Sequence, residues 1–262
     1  LIGLIGLAED LSQSLSSKKR LLFMLVLVSL SLFLLPQLLP FDLEIFEVFN
    51  LNNSAITVFI FTVFMICGFI NAGNIADGAN GLLASIFLLF FIIAYTLDSS
   101  IFNFSVIISL ISFIIFNVTT GKIFLGDFGS YCLSAIVSLK SLEFYSIEEI
   151  SVFFLASLLV YPCFEMLRSL LMRSVSSTSI LSPDNDHLHN RLNEYILRFG
   201  LSKHISNSTT GLSIAFGTSL PPVFFYFNGT SIDSSIWQIL FILQMLFLSL
   251  LYIFLEKKLK TS

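Results

Sequence analysis

The chain has 262 residues, of which 56% are hydrophobic and 11% charged, with thirty phenylalanines. Soluble domains carry about 25% charged residues, so this composition excludes an ordinary water-surrounded domain and points to a bilayer. The net charge of −4 decides little, because in a membrane chain the placement of charge matters more than its sum. Cys67, Cys132 and Cys163 lie inside apolar runs; an odd count at wide spacing indicates neither a disulfide framework nor a zinc site and reads as small core residues.

In chain order, LIGLIGLA at the start is too short to cross about 30 Å of hydrocarbon and lacks the basic region of a signal peptide. It reads as the tail of a helix whose beginning is missing. Apolar segments then follow at roughly 21–39, 55–72, 82–97, 101–118, 129–142, 150–172, 208–227 and 235–255. They are continuously apolar and do not alternate with period two, which excludes a β-barrel. The expected fold is all-α: a polytopic transmembrane helix bundle of about eight full spans plus an N-terminal helix stub. We expect one integral-membrane domain over 1–262, with a single long loop at 173–207.

Alternating spans put Lys18, Lys19, Arg20, Lys122, Arg168, Arg173, Arg191, Arg198, Lys203, Lys257, Lys258 and Lys260 on one side, and only Lys140 near the other. The opposite loops hold Asp42, Glu44, Glu47, Asp98, Glu143, Glu148, Glu149 and Asp233. This is a strong positive-inside pattern and assigns the basic side to the cytoplasm.

Four polar groups fall on that side. Glu9 and Asp10 end the stub; Asn71, Asn74 and Asp77 end the second span in NAGNIADGANGL; Asp127 lies in GKIFLGDFGS; His187 and His189 lie in PDNDHLHNRL, inside the long loop. Carboxylate and amide oxygens from separate helix ends suit magnesium, which keeps several waters and bridges to substrate phosphates. Adjacent glycines let backbone amides approach phosphate oxygens, and imidazolium and guanidinium groups, here His187, His189 and Arg191, pair with a diphosphate. Each group has a plainer reading: an Asn/Gly turn, a helix cap at Asp127, a solvated Glu9–Asp10 pair, and topology signal for Lys18–Arg20. Their meeting at four successive junctions on one face favours a site. Glu165, near the end of the sixth segment, is the one ionisable residue inside a span that departs from this pattern.

These stretches resemble the signatures of a known family. NAGNIADGANGL is similar to the N-A-x-N-x-x-D-G-x-x-G-L motif of the polyprenyl-phosphate N-acetylhexosamine-1-phosphate transferases, the MraY/WecA family. KIFLGDFGS resembles its F-x-G-D-x-G-S loop, and GLAEDLSQSLSSKKRLL resembles its G-L-x-D-D-x-x-x-L-S-P-K-x-R-L-L segment. DNDHLHNRL resembles its histidine loop, closer to the WecA/TagO branch than to MraY. Glu9 stands where the family usually has Asp, and Asn190 where it has a further His. The resemblance implies a bacterial inner-membrane enzyme with a cytoplasmic site, which transfers N-acetylhexosamine-1-phosphate from a UDP-sugar to undecaprenyl phosphate and releases UMP. It implies dependence on Mg²⁺ or Mn²⁺, with Asp127 as metal ligand and Asn74 as its partner. Asp10, with Glu9, is implicated in activating the lipid phosphate. Asn71 and Asp77 would shape the nucleotide-diphosphate site, and His187, His189 and Arg191 would contact diphosphate or sugar. The expected partners are the UDP-sugar, undecaprenyl phosphate, the bilayer and a second copy of the chain, and no nucleic acid. A transporter, or a catalytically degenerate membrane scaffold, is the competing class; the first would place ionisable residues near span centres.

Overall fold

The computed structural model describes residues 1–12, 15–40, 44–45, 49–50, 54–147, 150–175, 186–232 and 235–260. Asp42, Glu47, Glu148, Glu149 and Asp233, and 176–185 of the long loop, lie outside the described residues. Eleven α-helices are found among the described residues: α1 Ile2–Ser12, α2 Ser17–Leu34, α3 Ala55–Ala76, α4 Leu82–Leu97, α5 Ile101–Thr120, α6 Gly126–Ile147, α7 Val152–Leu158, α8 Val160–Val175, α9 Leu188–Leu197, α10 Lys203–Phe227 and α11 Ile236–Lys260. A two-residue antiparallel ladder pairs Glu44–Ile45 with Phe49–Asn50. The bundle is the expected all-helical one, and each predicted apolar segment falls mainly on helix, the segment 21–39 passing from α2 into a 3-10 turn at Pro36–Leu38.

Serines start many of these helices. Ser16, Ser54, Ser100, Ser151 and Ser202 each accept a backbone N–H from the first turn of the helix that follows. Such caps satisfy donors that have no partner within the helix, which matters most where hydrocarbon supplies none. By length and apolarity alone α3, α5 and α11 qualify as spans, and the α7–α8 pair would make a fourth. Their outward faces are apolar: Ile101, Phe102, Phe104 and Ile108 of α5 and Leu243, Leu246 and Leu250 of α11 are exposed, as lipid-facing surfaces require.

The sixth predicted span departs from expectation. The segment 150–172 is two helices bent by 85° at Leu159. Pro162 explains the break: it has no N–H to give to the Leu158 carbonyl, and its ring would collide with that carbonyl in a continuous helix. The bend sends α8 against α3 and brings its polar residues to one end of the bundle. The long loop also contains structure, since α9 packs there on α10 and α11.

Two cores hold the bundle. One, built on α4, α7 and α10, includes Phe87, Phe90, Phe154 and Trp237. The other joins α2, α3 and α6 through Met24, Val28, Ile70 and Tyr131. At one end Lys140, the single basic residue expected on its side, lies 2.9 Å from both Asp98 and Glu143. Two carboxylates neutralise it, so it does not oppose the positive-inside pattern.

Candidate active site

Two carboxylates and a carboxamide, from three helix ends, meet at the other end of the bundle. Asp127 sits in the first turn of α6, Asn74 in the last turn of α3, and Asp10 in the last turn of α1. Asn74 Nδ2 donates to Asp127 Oδ1 at 2.8 Å and to Ser130 Oγ at 3.0 Å. Asp10 accepts the backbone N–H groups of Asp127 and Phe128, each at 3.0 Å. Asp10 therefore caps α6 from another helix, and its charge lies at the positive end of the α6 dipole. The plainer sequence reading, in which Asp127 is itself the cap, is corrected: Asp127 is inside the helix and its side chain is directed elsewhere.

Close backbone approach makes this arrangement possible. Gly126 has φ of +62°, a conformation glycine adopts without strain, and Asp10 Oδ2 lies 2.8 Å from where a Cβ would be. On α1, a side chain at Gly6 would overlap the Asp127 carbonyl. The Glu9–Asp10 pair is no solvated loop pair: Glu9 Oε2 accepts Leu15 N–H at 3.2 Å.

Arg20 is a residue that sequence reasoning missed as part of the site. Its Nη1 donates to Asp127 Oδ2 at 3.1 Å and lies 3.4 Å from Tyr131 OH and 3.8 Å from Glu9. Lys18 and Lys19 remain exposed, as topology signal would. Position within a basic run gives no hint of this difference; only the packing of α1 and α2 beside α6 does.

A cleft of about 630 Å³ opens beside this cluster. Arg20, Asn71, Asn74, Asp77, His187 and His189 are among its lining residues. Asn71 turns its Nδ2 onto the Cys67 carbonyl at 2.8 Å. Burial, with the charges of Asp127 and Asp10 behind it, pushes the Asp77 carboxyl up to about 7. Three acidic groups crowd one end of the bundle with insufficient positive charge, the electrostatic setting a bound cation relieves. A second cavity of about 320 Å³ shares Asp77 and Gly78 with the cleft and is edged by exposed Phe124 and by Lys203, His204 and Asn207.

The histidines form the far wall. His187 precedes α9 with φ −96° and ψ 153°, and this extended geometry lets its ring stack on that of His189, with centroids 5.3 Å apart and planes at 17°. Both are held from α8. Glu165, fully buried, lies 3.0 Å from His187 Nδ1 and accepts Leu188 N–H at 2.7 Å. Tyr161 OH is 2.9 Å from His189 Nδ1. Burial pulls the His189 pKa down to about 4, so its ring is neutral at pH 7. Burial thus opposes the imidazolium form expected of this residue from the sequence. Glu165, noted in the sequence only as an exception, is the anchor of the loop; an ionisable group inside an apolar run was the signal.

Arg191 is not brought into the cleft. It forms a fork on Asp186 at 2.6 and 2.7 Å and covers the Tyr252 ring at 4.1 Å, tying the start of α9 to α11. The Arg191 guanidinium holds the Asp186 carboxyl down at about 2, with help from Tyr252 OH.

The fit to a divalent cation rests on these donors. No group of three or more His, Cys, Asp and Glu residues in ligating geometry is found among the described residues. Asn74 turns its NH2 toward Asp127 and Ser130 here; Asp127 and Ser130, with the Asn74 amide oxygen once that amide turns over, would supply hard oxygen ligands of the kind magnesium takes, and a cation that draws its other ligands from water and phosphate needs no protein cage. Arg20 covers Asp127 Oδ2 in the structure and stands where positive charge is required.

Gly78 offers a direct test of the wall. An alanine Cβ there would overlap His189 Nε2, whose ring is pinned by Tyr161 and cannot swing aside freely. Gly78→Ala is expected to cut turnover about 100-fold while the membrane-inserted yield is kept, because misplacement by about 1 Å carries that cost; unchanged steady-state kinetics would show that the His189 wall takes no part.

This fold and site define a polytopic membrane protein with a polar cleft at one end of its bundle. Residues 1–145 match the family described as Glycosyl transferase family 4, and the chain belongs to that family. It is 37% identical over 110 residues to the phospho-N-acetylmuramoyl-pentapeptide-transferase of Leuconostoc citreum, 39% of this chain and 34% of that protein. It is 33% identical over 132 residues to the undecaprenyl-phosphate alpha-N-acetylglucosaminyl 1-phosphate transferase of Thermotoga maritima, 50% of this chain and 41% of that protein. It is 32% identical over 154 residues to the probable undecaprenyl-phosphate N-acetylglucosaminyl 1-phosphate transferase of Bacillus subtilis, 55% of this chain and 42% of that protein. Each match thus spans less than half the relative's length.

Proposed function

We propose that the protein is a membrane sugar-1-phosphate transferase of the WecA-like branch, which moves N-acetylhexosamine-1-phosphate from a UDP-sugar to undecaprenyl phosphate. The observation that carries this reading is the 2.8 Å contact of Asn74, which lines the cleft, with Asp127, with Asp10 seated on the same α6 N-terminus. The cleft and the adjoining cavity share Asp77 and Gly78, giving room for a diphosphate flanked by a sugar and a nucleoside. An apolar crevice of about 250 Å³ among Phe61, Met65, Phe69 and Leu155 suits a prenyl chain. Basic residues gather at the site end, which supports a cytoplasmic site in a bacterial inner membrane. A water-soluble donor and a lipid acceptor whose phosphate lies at headgroup level meet only at such an interface.

In the proposed reaction an oxygen of undecaprenyl phosphate attacks the sugar-side phosphorus of the donor. The bond from that phosphorus to the bridging oxygen breaks, and UMP departs with the bond electrons. Asp127 and Asn74, with Ser130, would hold Mg²⁺ or Mn²⁺, which when bound neutralises charge on the diphosphate. Asp10 positions Asp127 by capping α6, Arg20 offsets negative charge beside it, and Asn71 and Asp77 line the donor's path. Phosphoryl transfer asks chiefly for placement and charge neutralisation, and this set supplies both.

The test is direct. The protein in membranes is incubated with undecaprenyl phosphate, Mg²⁺ and a panel of UDP-N-acetylhexosamines, and UMP is followed by mass spectrometry. One UMP per lipid-linked product is expected, lost in EDTA and restored by Mg²⁺. Turnover undiminished in chelator would remove the cation from the scheme. Uptake of solute into proteoliposomes without UMP release would assign a transporter, and neither activity a scaffold.

A further inference from the structure

We propose that Glu165 and Tyr161 are positioning residues that fix His189 as the Nδ1-protonated tautomer, so that its Nε2 lone pair accepts a hydrogen bond from an N–H or O–H of the bound sugar nucleotide. The inference deepens the transferase reading and rests on it for the identity of the ligand.

Glu165 has 0% exposure and a full set of neighbours: Leu188 N at 2.7 Å and Tyr161 OH at 3.1 Å on Oε1, and His187 Nδ1 at 3.0 Å and Arg168 Nε at 3.3 Å on Oε2. A backbone N–H and a guanidinium N–H can only donate, and they favour the ionised carboxylate. An ionised carboxylate can only accept, so the single Tyr161 hydroxyl proton is directed to Oε1. The Tyr161 oxygen then has only lone pairs left for His189 Nδ1, 2.9 Å away, and that nitrogen must carry the proton. In a neutral ring the remaining nitrogen, Nε2, is bare. The ring is neutral because burial opposes its charge more than Glu165 favours it, with His187 and Arg168 adding to the opposition. Those groups are the charged and titratable ones facing His189 from α8 and from its own loop. From the turn after α3 come Gly78, against which the Nε2 edge lies, and Asp77, the residue before it.

The chemistry separates two roles. A cationic histidine would hold the diphosphate; a bare Nε2 repels phosphate oxygens and selects a donor group instead. The sugar nucleotide carries such groups on its sugar ring and amide, and the cleft that takes its diphosphate would set them against the His189 wall. Glu165 thus acts through Tyr161, two links from the ligand, and also anchors His187, whose Nδ1 lies 3.0 Å from Glu165 Oε2 and 3.1 Å from Arg168 Nη2.

Histidine-¹⁵N NMR of the full chain in nanodiscs decides the tautomer with no substrate present. At pH 7 the wild-type His189 signal is expected to show a protonated Nδ1 and an unprotonated Nε2. Glu165→Gln replaces one of the two acceptor oxygens by a donating NH2 and removes the charge that draws the Tyr161 proton, and Tyr161→Phe removes the relay; both are expected to yield a mixture of tautomers. A wild-type ring protonated at Nε2, or at both nitrogens, overturns the proposal. In the UMP assay Tyr161→Phe is expected to raise the KM for the sugar nucleotide about tenfold, with a smaller change in kcat, since one hydrogen bond is worth about that factor. Glu165→Asp is expected to recover part of the loss that Glu165→Gln causes. Equal KM in wild type and Tyr161→Phe overturns the recognition role. No UMP from the wild-type chain would sink the transferase reading instead, and the nitrogen shifts would still decide the tautomer.

Discussion

Asp127→Ala is expected to lower sugar-phosphate transfer at least about 1,000-fold while leaving the protein folded in the membrane, the scale seen when a charge-stabilising group is removed from a reacting centre. The side chain meets Asn74 at 2.8 Å and Arg20 at 3.1 Å, and it is the carboxylate closest to both. Its backbone N–H, not its side chain, receives the Asp10 cap, so α6 keeps its N-terminal anchor in the variant. A structural role would therefore predict mild effects and a catalytic one severe effects. Transfer of radiolabelled sugar phosphate to lipid, set against the amount of inserted protein, separates the two; wild-type turnover would remove Asp127 from the site.

Asp10→Ala is expected to cost about 100-fold by a different route. Two backbone N–H groups at the start of α6 lose a charged acceptor and the helix loses its N-terminal cap. α1 is held against α6 by this cap and by the close approach at Gly6. Losing the cap lets Asp127 shift, and about 1 Å suffices for the stated loss. Asp10→Asn keeps an oxygen for one of the two N–H groups and should fall between alanine and wild type. Thermal unfolding measured on the same variants should show the alanine protein less stable; unaltered stability and turnover would contradict the cap as drawn.

Much of this site could be read from residue order because a bilayer forces parity. Once the spans alternate, Asp10, Asp77, Asp127 and His187 must share a face, and the structure puts Asp10, Asn74 and Asp127 within hydrogen-bonding reach of one another or of the same helix start. The bend at Leu159 was hidden because a continuous apolar run does not distinguish one straight helix from two bent ones; Pro162 was the sign. Arg20 was hidden inside Lys18–Arg20, since its difference from Lys18 and Lys19 arises from helix packing alone. Arg191 looked like a phosphate ligand by its place beside the histidines, but Asp186, five residues earlier, claims its guanidinium. His189 looked cationic because composition carries no information on burial, and it is burial that keeps the ring neutral.

The central claim is that Asp127 and Asn74 hold a divalent cation against a diphosphate in the cleft. Electron paramagnetic resonance of added Mn²⁺ tests it most directly, on wild type and Asp127→Ala in membranes with UDP-N-acetylglucosamine. The account predicts one tightly bound Mn²⁺ per wild-type chain, with phosphorus hyperfine coupling from the nucleotide, and neither in the variant. Equal Mn²⁺ affinity and the same phosphorus coupling in both proteins would contradict it.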